Sequence, residues 1–268
     1  MNKPVRHILC MSGGKDSTAL AIYMRDRIPA MEYVFCDTDK ELPETYEYLN
    51  RVEAFLGKKI IRLNAKAGFD HWLDVFGGYL PSPNMRWCTK LLKLEPLEKH
   101  LGDDPAITYV GIRADEDRAG YISTKPNIKA TFPFKADGID YAGVMKILEE
   151  SGIGFPPYLK WRTHSGCYFC FFQRPIEWVR LLETHPDLFE EAQKYEKLSN
   201  EAGKTFTWNQ GMPLSELRKP ETIAAIRKRF EEFEERRKNN RGNKPLVEVL
   251  AGLKEEDAGP KACLICQL

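Results

Sequence analysis

The chain has 268 residues, 43% of them hydrophobic, so it can bury a full core as one large domain or as one domain with an extension. Its formal net charge of +1 gives no overall field that would attract nucleic acid or a membrane surface. No apolar run approaches the about 20 residues of a membrane span, and residues 1–7 lack the apolar stretch of a signal peptide. We therefore expect a cytoplasmic protein that does not bind membranes.

In the first half of the chain, apolar runs typical of strands alternate with helical patterns. The predicted strands are 5–11, 31–36, 59–63 and 107–112, and the predicted helices are 17–27, 43–56 and 90–101. This order predicts an α/β fold in which a parallel sheet carries helices on both faces. Ligands of such sheets bind at the carboxyl ends of the strands.

The second half of the chain reads differently, because only helical patterns follow Gly138. These predicted helices are 141–151, 176–183, 186–200 and 221–238. We therefore predict two regions: an α/β domain over residues 1–175, and an α-helical C-terminal region over 176–268 that ends in a tail with two cysteines.

A glycine-rich hexapeptide directly follows the first predicted strand, and a helix is predicted to begin near Asp16. Such a turn aims backbone N–H groups at one point, where the helix dipole and Lys15 add positive potential. The glycines let the backbone approach an anion closely. The pattern lacks the Gly-Lys-Ser/Thr ending of the common phosphate loop. It predicts a phosphate site made by Ser12, Gly13, Gly14, Lys15, Asp16 and Ser17.

This hexapeptide resembles the SGGxDS motif, the PP-loop of the ATP pyrophosphatase superfamily. The resemblance implies an adenine nucleotide alpha hydrolase-like fold. It also implies that the loop binds ATP, which is cleaved between the α- and β-phosphates, or an adenylated sulfonucleotide. Lys15 and Asp16 would then be the catalytic residues.

Short polar side chains end the second strand at Asp37 and Thr38. They can hold a ribose or a base edge, although an ordinary strand-end turn is the alternative. The stretch from Asp37 to Tyr46 resembles the "DTG…FPETY" segment of phosphoadenylyl-sulfate (PAPS) reductases, which belong to the same superfamily. The chain departs from that pattern at Asp39, where a glycine is usual.

Two further segments resemble the same family. Residues 86–97 match a segment that places a basic residue near phosphate or sulfate, which implies this role for Lys90; an exposed helix face is the alternative. Gly111, Arg113 and Arg118 match a "GxRxxES…R" segment whose arginines reach the nucleotide's anionic groups. Arginine suits this role because its fork grips two oxygens at once. A surface loop of compensating charges is the other interpretation.

The seven cysteines favour metal or redox chemistry over structural disulfides. In cluster-bearing relatives a Cys-Cys pair and a later C-x-x-C hold a [4Fe–4S] cluster, and the resemblance implies a cluster here. Trp87 and Cys88 occupy the place of the pair, so only three of the four thiolates are present and a tail cysteine would supply the fourth. A Zn²⁺ site made by the two C-x-x-C pairs and a redox dithiol in the tail are the alternatives. The candidate ligands are Cys88, Cys167, Cys170, Cys263 and Cys266.

The resemblance covers about residues 5–175 and leads to three functional hypotheses. The first is an ATP pyrophosphatase, closest in style to those of DNA phosphorothioation, that uses Mg²⁺ held by Asp16 or Asp37 to activate an acceptor for sulfur transfer. A sulfur-donor protein such as a cysteine desulfurase would be its partner, and a nucleic acid is one candidate for the acceptor of the sulfur. The second is a sulfonucleotide reductase, but the tail lacks the "ECGxH" motif of that chemistry. The third is a nucleotide-binding subunit without turnover.

Overall fold

A computed structural model describes residues 3–118, 120, 123–196, 206–209 and 211–239. Its centre is a sheet of five strands that all run parallel, in the order β3-β2-β1-β4-β5. The strands are β1 (Arg6–Cys10), β2 (Met31–Asp37), β3 (Ile60–Asn64), β4 (Ala106–Tyr109) and β5 (Ile128–Thr131). The chain leaves β1 toward β2 on one side and later adds β4 on the other. The carboxyl ends of β1 and β4 therefore form the switch point at which such sheets bind ligands.

The prediction of four strands was incomplete, because β5 completes the sheet. Only one of the four residues of β5, Ile128, is buried. The equally short β4 lies within a longer apolar run that ends at Ile112, whereas β5 has no such run for sequence reasoning to use. Its pairing with β4, in the register Ala106↔Ile128, is what holds it in the sheet.

Helices cover both faces of the sheet, as predicted. On one face α1 (Lys15–Met24), α2 (Pro43–Leu56) and α7 (Tyr141–Ser151) supply part of a core that includes Leu9 and Phe35. On the other face α5 (Glu95–Leu101) packs with Ile8 and Val34. Adjacent strand residues point to opposite faces, so each inner strand contributes to both cores.

The helix predicted at 90–101 begins earlier and is irregular. It starts as α4 (Trp87–Thr89), widens into a π-helical segment at Lys90–Leu94 and continues as α5. The Cys36 thiol of β2 donates a hydrogen bond to the Lys93 carbonyl at 3.3 Å, which fixes this segment against the sheet. Widened turns of this kind often occur at functional sites.

The other α-helices of the described chain are α3 (Phe69–Val75), α6 (Pro133–Ala136), α8 (Pro175–Thr184), α9 (Pro186–Lys194), α10 (Leu214–Leu217) and α11 (Pro220–Asn239), and a short 3₁₀-helix spans Pro157–Lys160. They confirm the helical C-terminal region, but the last part of the helix predicted at 186–200 lies outside the described residues. Among the helices that are described, none is long and apolar enough to cross a membrane.

The described chain divides into two compact units. The first comprises 3–72 and 87–167, and the second comprises 73–86 with the described residues from 168 onward. The sheet and the glycine-rich loop of residues 12–17 belong to the first unit. In the second unit an aromatic cluster of Phe169, Tyr195 and Trp208 forms part of the interior, and Trp208 donates to the Ala192 carbonyl at 2.8 Å. The predicted domain boundary at residue 175 stays a prediction.

Candidate nucleotide-binding site

The hexapeptide forms the predicted turn between β1 and α1. Gly13 has φ +66°, and a Cβ there would lie 2.6 Å from Cγ2 of Thr45. Gly14 caps α1 without a side-chain hydrogen bond, and a Cβ there would lie 2.8 Å from Oγ of Ser165. Both positions therefore require glycine, and the first turn of α1 presents its N–H groups with no capping side chain in front of them.

Side-chain hydroxyl groups form hydrogen bonds that stabilise this loop. Ser17 lies 3.1 Å from Ser12 between hydroxyl oxygens, and the Ser12 N–H donates to Oγ of Ser17. Ser165 donates to Oγ of Ser12 at 3.1 Å, and the fully buried Tyr158 donates to the Gly13 carbonyl at 3.0 Å. Burial raises the pKa of Tyr158, so this phenol stays a neutral donor. These hydrogen bonds hold the backbone of the loop in the turn that its glycines form.

The loop's charged residues form an ion-pair network with an arginine from beyond β4. Nζ of Lys15 lies 2.7 Å from Oδ2 of Asp16, and Arg113 reaches Oδ1 of the same carboxylate at 3.1 Å. Burial opposes the charge of Arg113, but its hydrogen bond to Asp115 and the charges of Asp16 and Glu116 outweigh burial and raise its pKa. Arg113 therefore stays cationic at the switch point of the sheet.

The segment after β4 approaches the loop closely. A Cβ at Gly111 would lie 3.1 Å from the carbonyl oxygen of Asp16, so a larger residue would push the segment away from α1. Arg118 is placed by a hydrogen bond to Glu116 at 2.8 Å. Gly111 and Arg113 thus lie beside the glycine-rich loop, and Arg118 is tied to the same segment through Glu116. The predicted role of these three residues in nucleotide binding stays a prediction.

The end of β2 holds Asp37 in a defined position. Oδ1 of Asp37 accepts from the Tyr46 hydroxyl at 2.7 Å and from the Asp39 N–H at 2.9 Å. Asp39 itself has φ +58°, the left-handed conformation that the usual glycine would adopt without strain. Aspartate tolerates this conformation better than most residues. The departure from the family pattern therefore keeps a glycine-like backbone at Asp39.

A buried polar cluster adjoins Thr38. The Thr38 hydroxyl donates a hydrogen bond to Oε1 of Glu41 at 3.0 Å and lies 3.2 Å from Sγ of Cys167. Cys167 pairs with Glu41 through an isolated antiparallel bridge, and its thiol lies 3.7 Å from Oε1 of that residue. The buried guanidinium of Arg162 fixes the Cys167 carbonyl at 2.9 Å.

The described residues do not assemble the predicted metal site. Within them no group of three or more histidine, cysteine, aspartate or glutamate side chains is arranged to hold a metal ion. Cys88 and Cys167 are partly buried and Cys170 is buried, while Cys263 and Cys266 lie outside the described part of the chain. A site of four thiolates would need those tail cysteines, so it stays a prediction. Lys90 is exposed on the π-helical segment, and its predicted role also stays a prediction.

Sequence reasoning missed residues that shape the site. The ring of Tyr141, at the start of α7, lies 5.7 Å from Nζ of Lys15 and 5.5 Å from the guanidinium carbon of Arg113. A second group consists of Tyr158, Ser165 and Glu41. Tyr158 and Ser165 fall in segments that follow the family pattern, but nothing in their spacing shows that they reach back to Ser12 and Gly13.

The chain has a parallel sheet, and at the switch point of the sheet lies a hydrogen-bonded glycine loop with Lys15 and Arg113 beside it. These features are typical of α/β proteins that bind nucleotides. Residues 6–163 match the phosphoadenosine phosphosulfate reductase domain, and because this match spans more than half of the chain, the chain belongs to that family.

The chain is also similar to individual proteins. An uncharacterised protein of Methanocaldococcus jannaschii is 28% identical over 225 residues, which are 79% of this chain and 44% of the relative. An adenosine 5'-phosphosulfate reductase of Bacillus cereus is 30% identical over 37% of this chain and 43% of its own length. The chain therefore spans less than half the length of these relatives. A solved PAPS reductase of Candida auris, in a phosphate complex, shares 19% identity over 62% of this chain and 82% of its own, with a TM-score of 0.49.

Proposed function

We propose that the chain binds ATP with Mg²⁺ and cleaves it to AMP and pyrophosphate, and thereby activates an acceptor for sulfur transfer. The observation that carries the proposal is the loop itself, where an uncapped helix start, Lys15 and Arg113 lie at the switch point of the sheet. Membership of a family named for a sulfonucleotide substrate supports sulfur-related chemistry on an adenine nucleotide.

The proposed reaction places negative charge on a leaving pyrophosphate, and the basic groups of the loop can stabilise that charge. An acceptor oxygen attacks the α-phosphorus, the bond from that phosphorus to the bridging oxygen breaks, and pyrophosphate leaves with the electron pair. Backbone N–H groups, Lys15 and Arg113 would stabilise the charge that develops on this leaving group. A sulfur nucleophile from a donor protein then attacks the acceptor atom that carries this oxygen; the bond from that atom to the oxygen breaks, and AMP leaves with the oxygen and the electron pair. Asp16 and Asp37 are the carboxylates that would hold Mg²⁺.

The test is incubation of the full chain, purified without oxygen, with ATP labelled at the α-phosphate, where water takes the place of the acceptor oxygen. We expect labelled AMP, and Lys15→Ala should slow its formation by about 100-fold or more, because one charge-stabilising donor is lost. Lys146→Ala is the matched control, since Lys146 pairs with Glu150 on an exposed part of α7 and should leave the rate unchanged. Wild-type turnover in Lys15→Ala would contradict the proposal.

A sulfonucleotide reductase is the second candidate, and the relationship to adenosine 5'-phosphosulfate reductases favours it. In that case the loop would bind the phosphosulfate group, and a thiol would attack the sulfur. The same protein incubated with adenylyl sulfate or phosphoadenylyl sulfate and a thiol reductant would then release sulfite and leave ATP intact. Binding of ATP without either product would indicate a nucleotide-binding subunit.

A further inference from the structure

The basic side chains beside the loop are already compensated. Within the described residues, three bases beside the loop pair with three carboxylates, and these six side chains carry no net charge together; they are Lys15, Arg113 and Arg118, with Asp16, Asp115 and Glu116. A free polyphosphate would therefore meet a network of formed ion pairs rather than a positive field. To bind, its oxygens have to replace carboxylate oxygens on at least one of these bases.

Asp16 is the carboxylate placed to compete with a ligand. Its two oxygens lie 2.7 Å from Lys15 and 3.1 Å from Arg113, and its side chain is only 8% exposed. Asp115, by comparison, is 42% exposed and contacts Arg113 alone among the three bases. Away from bulk water such contacts are several times stronger than at the surface. A carboxylate that bridges two bases offers them the same pair of oxygens that a phosphate group would offer.

We infer that Asp16 is an internal anion that a phosphate ligand must displace from Lys15 and Arg113. The inference rests on the proposed function only in taking the loop as the phosphate site. A bare anion would leave the displaced Asp16 beside like charge. A ligand that carries its own divalent cation supplies Asp16 with a new partner at once. Asp16 therefore selects cation-complexed polyphosphates against bare ones.

The test measures binding of inorganic pyrophosphate to the full chain by calorimetry, with a chelator present. Asp16→Asn should bind bare pyrophosphate about tenfold more tightly than wild type, because the competing charge is gone. Asp26→Asn removes the same charge from an exposed site that pairs with Arg25, and it should leave the affinity unchanged. Addition of magnesium should strengthen binding to wild type more than binding to Asp16→Asn.

Equal or weaker binding of bare pyrophosphate by folded Asp16→Asn would overturn the inference. If circular dichroism shows that this variant does not fold, Glu116→Gln takes its place. Glu116 contacts both Arg113 and Arg118, so its neutralisation should also tighten binding, and unchanged affinity would count against the inference. Tighter binding in a chain that never cleaves ATP would contradict the proposed function and support the inference. ATP cleavage with weaker binding in Asp16→Asn would do the reverse.

Discussion

At the scale of single residues, Gly13 is the most constrained position of the loop. Its backbone has a positive φ, and the space where a side chain would begin is filled by the methyl group of Thr45. The carbonyl oxygen of the same residue accepts the Tyr158 hydroxyl. Conformation, packing and hydrogen bonding thus all depend on one residue without a side chain.

We expect Gly13→Ala to destabilise the protein by about 2–4 kcal/mol, the sum of left-handed strain and overpacking, and to abolish nucleotide binding. Gly57→Ala is the matched control, because Gly57 has φ +62° but nothing within 4 Å of the added Cβ. It should cost only about 1 kcal/mol and leave binding intact. Urea denaturation and calorimetry measure the two effects, and equal losses of stability would show that the Thr45 contact is unimportant.

At the scale of elements, a fork-shaped ion pair joins the first two strands. Nε and Nη2 of Arg6 on β1 contact both carboxylate oxygens of Glu32 on β2, at 2.8 and 2.7 Å. His100 and Asp104 lie beside the pair, with Nε2 of His100 3.7 Å from Glu32 and Oδ2 of Asp104 3.6 Å from Arg6. The hydrogen bond from Arg6 is the main reason that the pKa of Glu32 lies below its ordinary value.

This pair predicts a loss of stability in acid. A carboxylate whose pKa is lower in the folded state stabilises the fold fully above its ordinary value of 4.5, and the contribution disappears as the pH falls through the folded pKa. The urea midpoint of wild type should therefore fall between about pH 6 and about pH 3 by more than that of Glu32→Gln. Parallel curves for the two proteins would rule out this contribution.

At the scale of the whole molecule, the sequence predicted what depends on local pattern. The strands β1 to β4, the turn after β1 and helices such as Tyr141–Ser151 follow from periodicity and glycine placement. The strand β5 and the contacts of Tyr141, Tyr158 and Ser165 could not be predicted, because they are made by residues distant in the chain. Tertiary packing sets the positions of this strand and these side chains, and the spacing of residue types along the chain does not reveal that packing.

Metal binding also belongs to the whole chain, because its test depends on the tail. If a [4Fe–4S] cluster is present, the anaerobic full-length protein should contain about four irons and four inorganic sulfides. The double substitution Cys263→Ser with Cys266→Ser should then remove the iron, whereas Cys10→Ala, a change in the sheet core, should not. One stoichiometric zinc instead of iron would favour the Cys₄ site, and metal retained in the double variant would exclude the tail as a source of ligands.

The buried thiols of Cys10 and Cys36 can report how often the sheet opens. Burial raises the pKa of Cys36 to about 11 and that of Cys10 well above its ordinary value, so neither sulfur reacts while the strands stay paired. Cys88 and Cys167 are more accessible. Alkylation followed by mass spectrometry should therefore mark Cys88 and Cys167 before Cys10 and Cys36, and the delay before the latter two react would time the opening of the sheet that supports the loop.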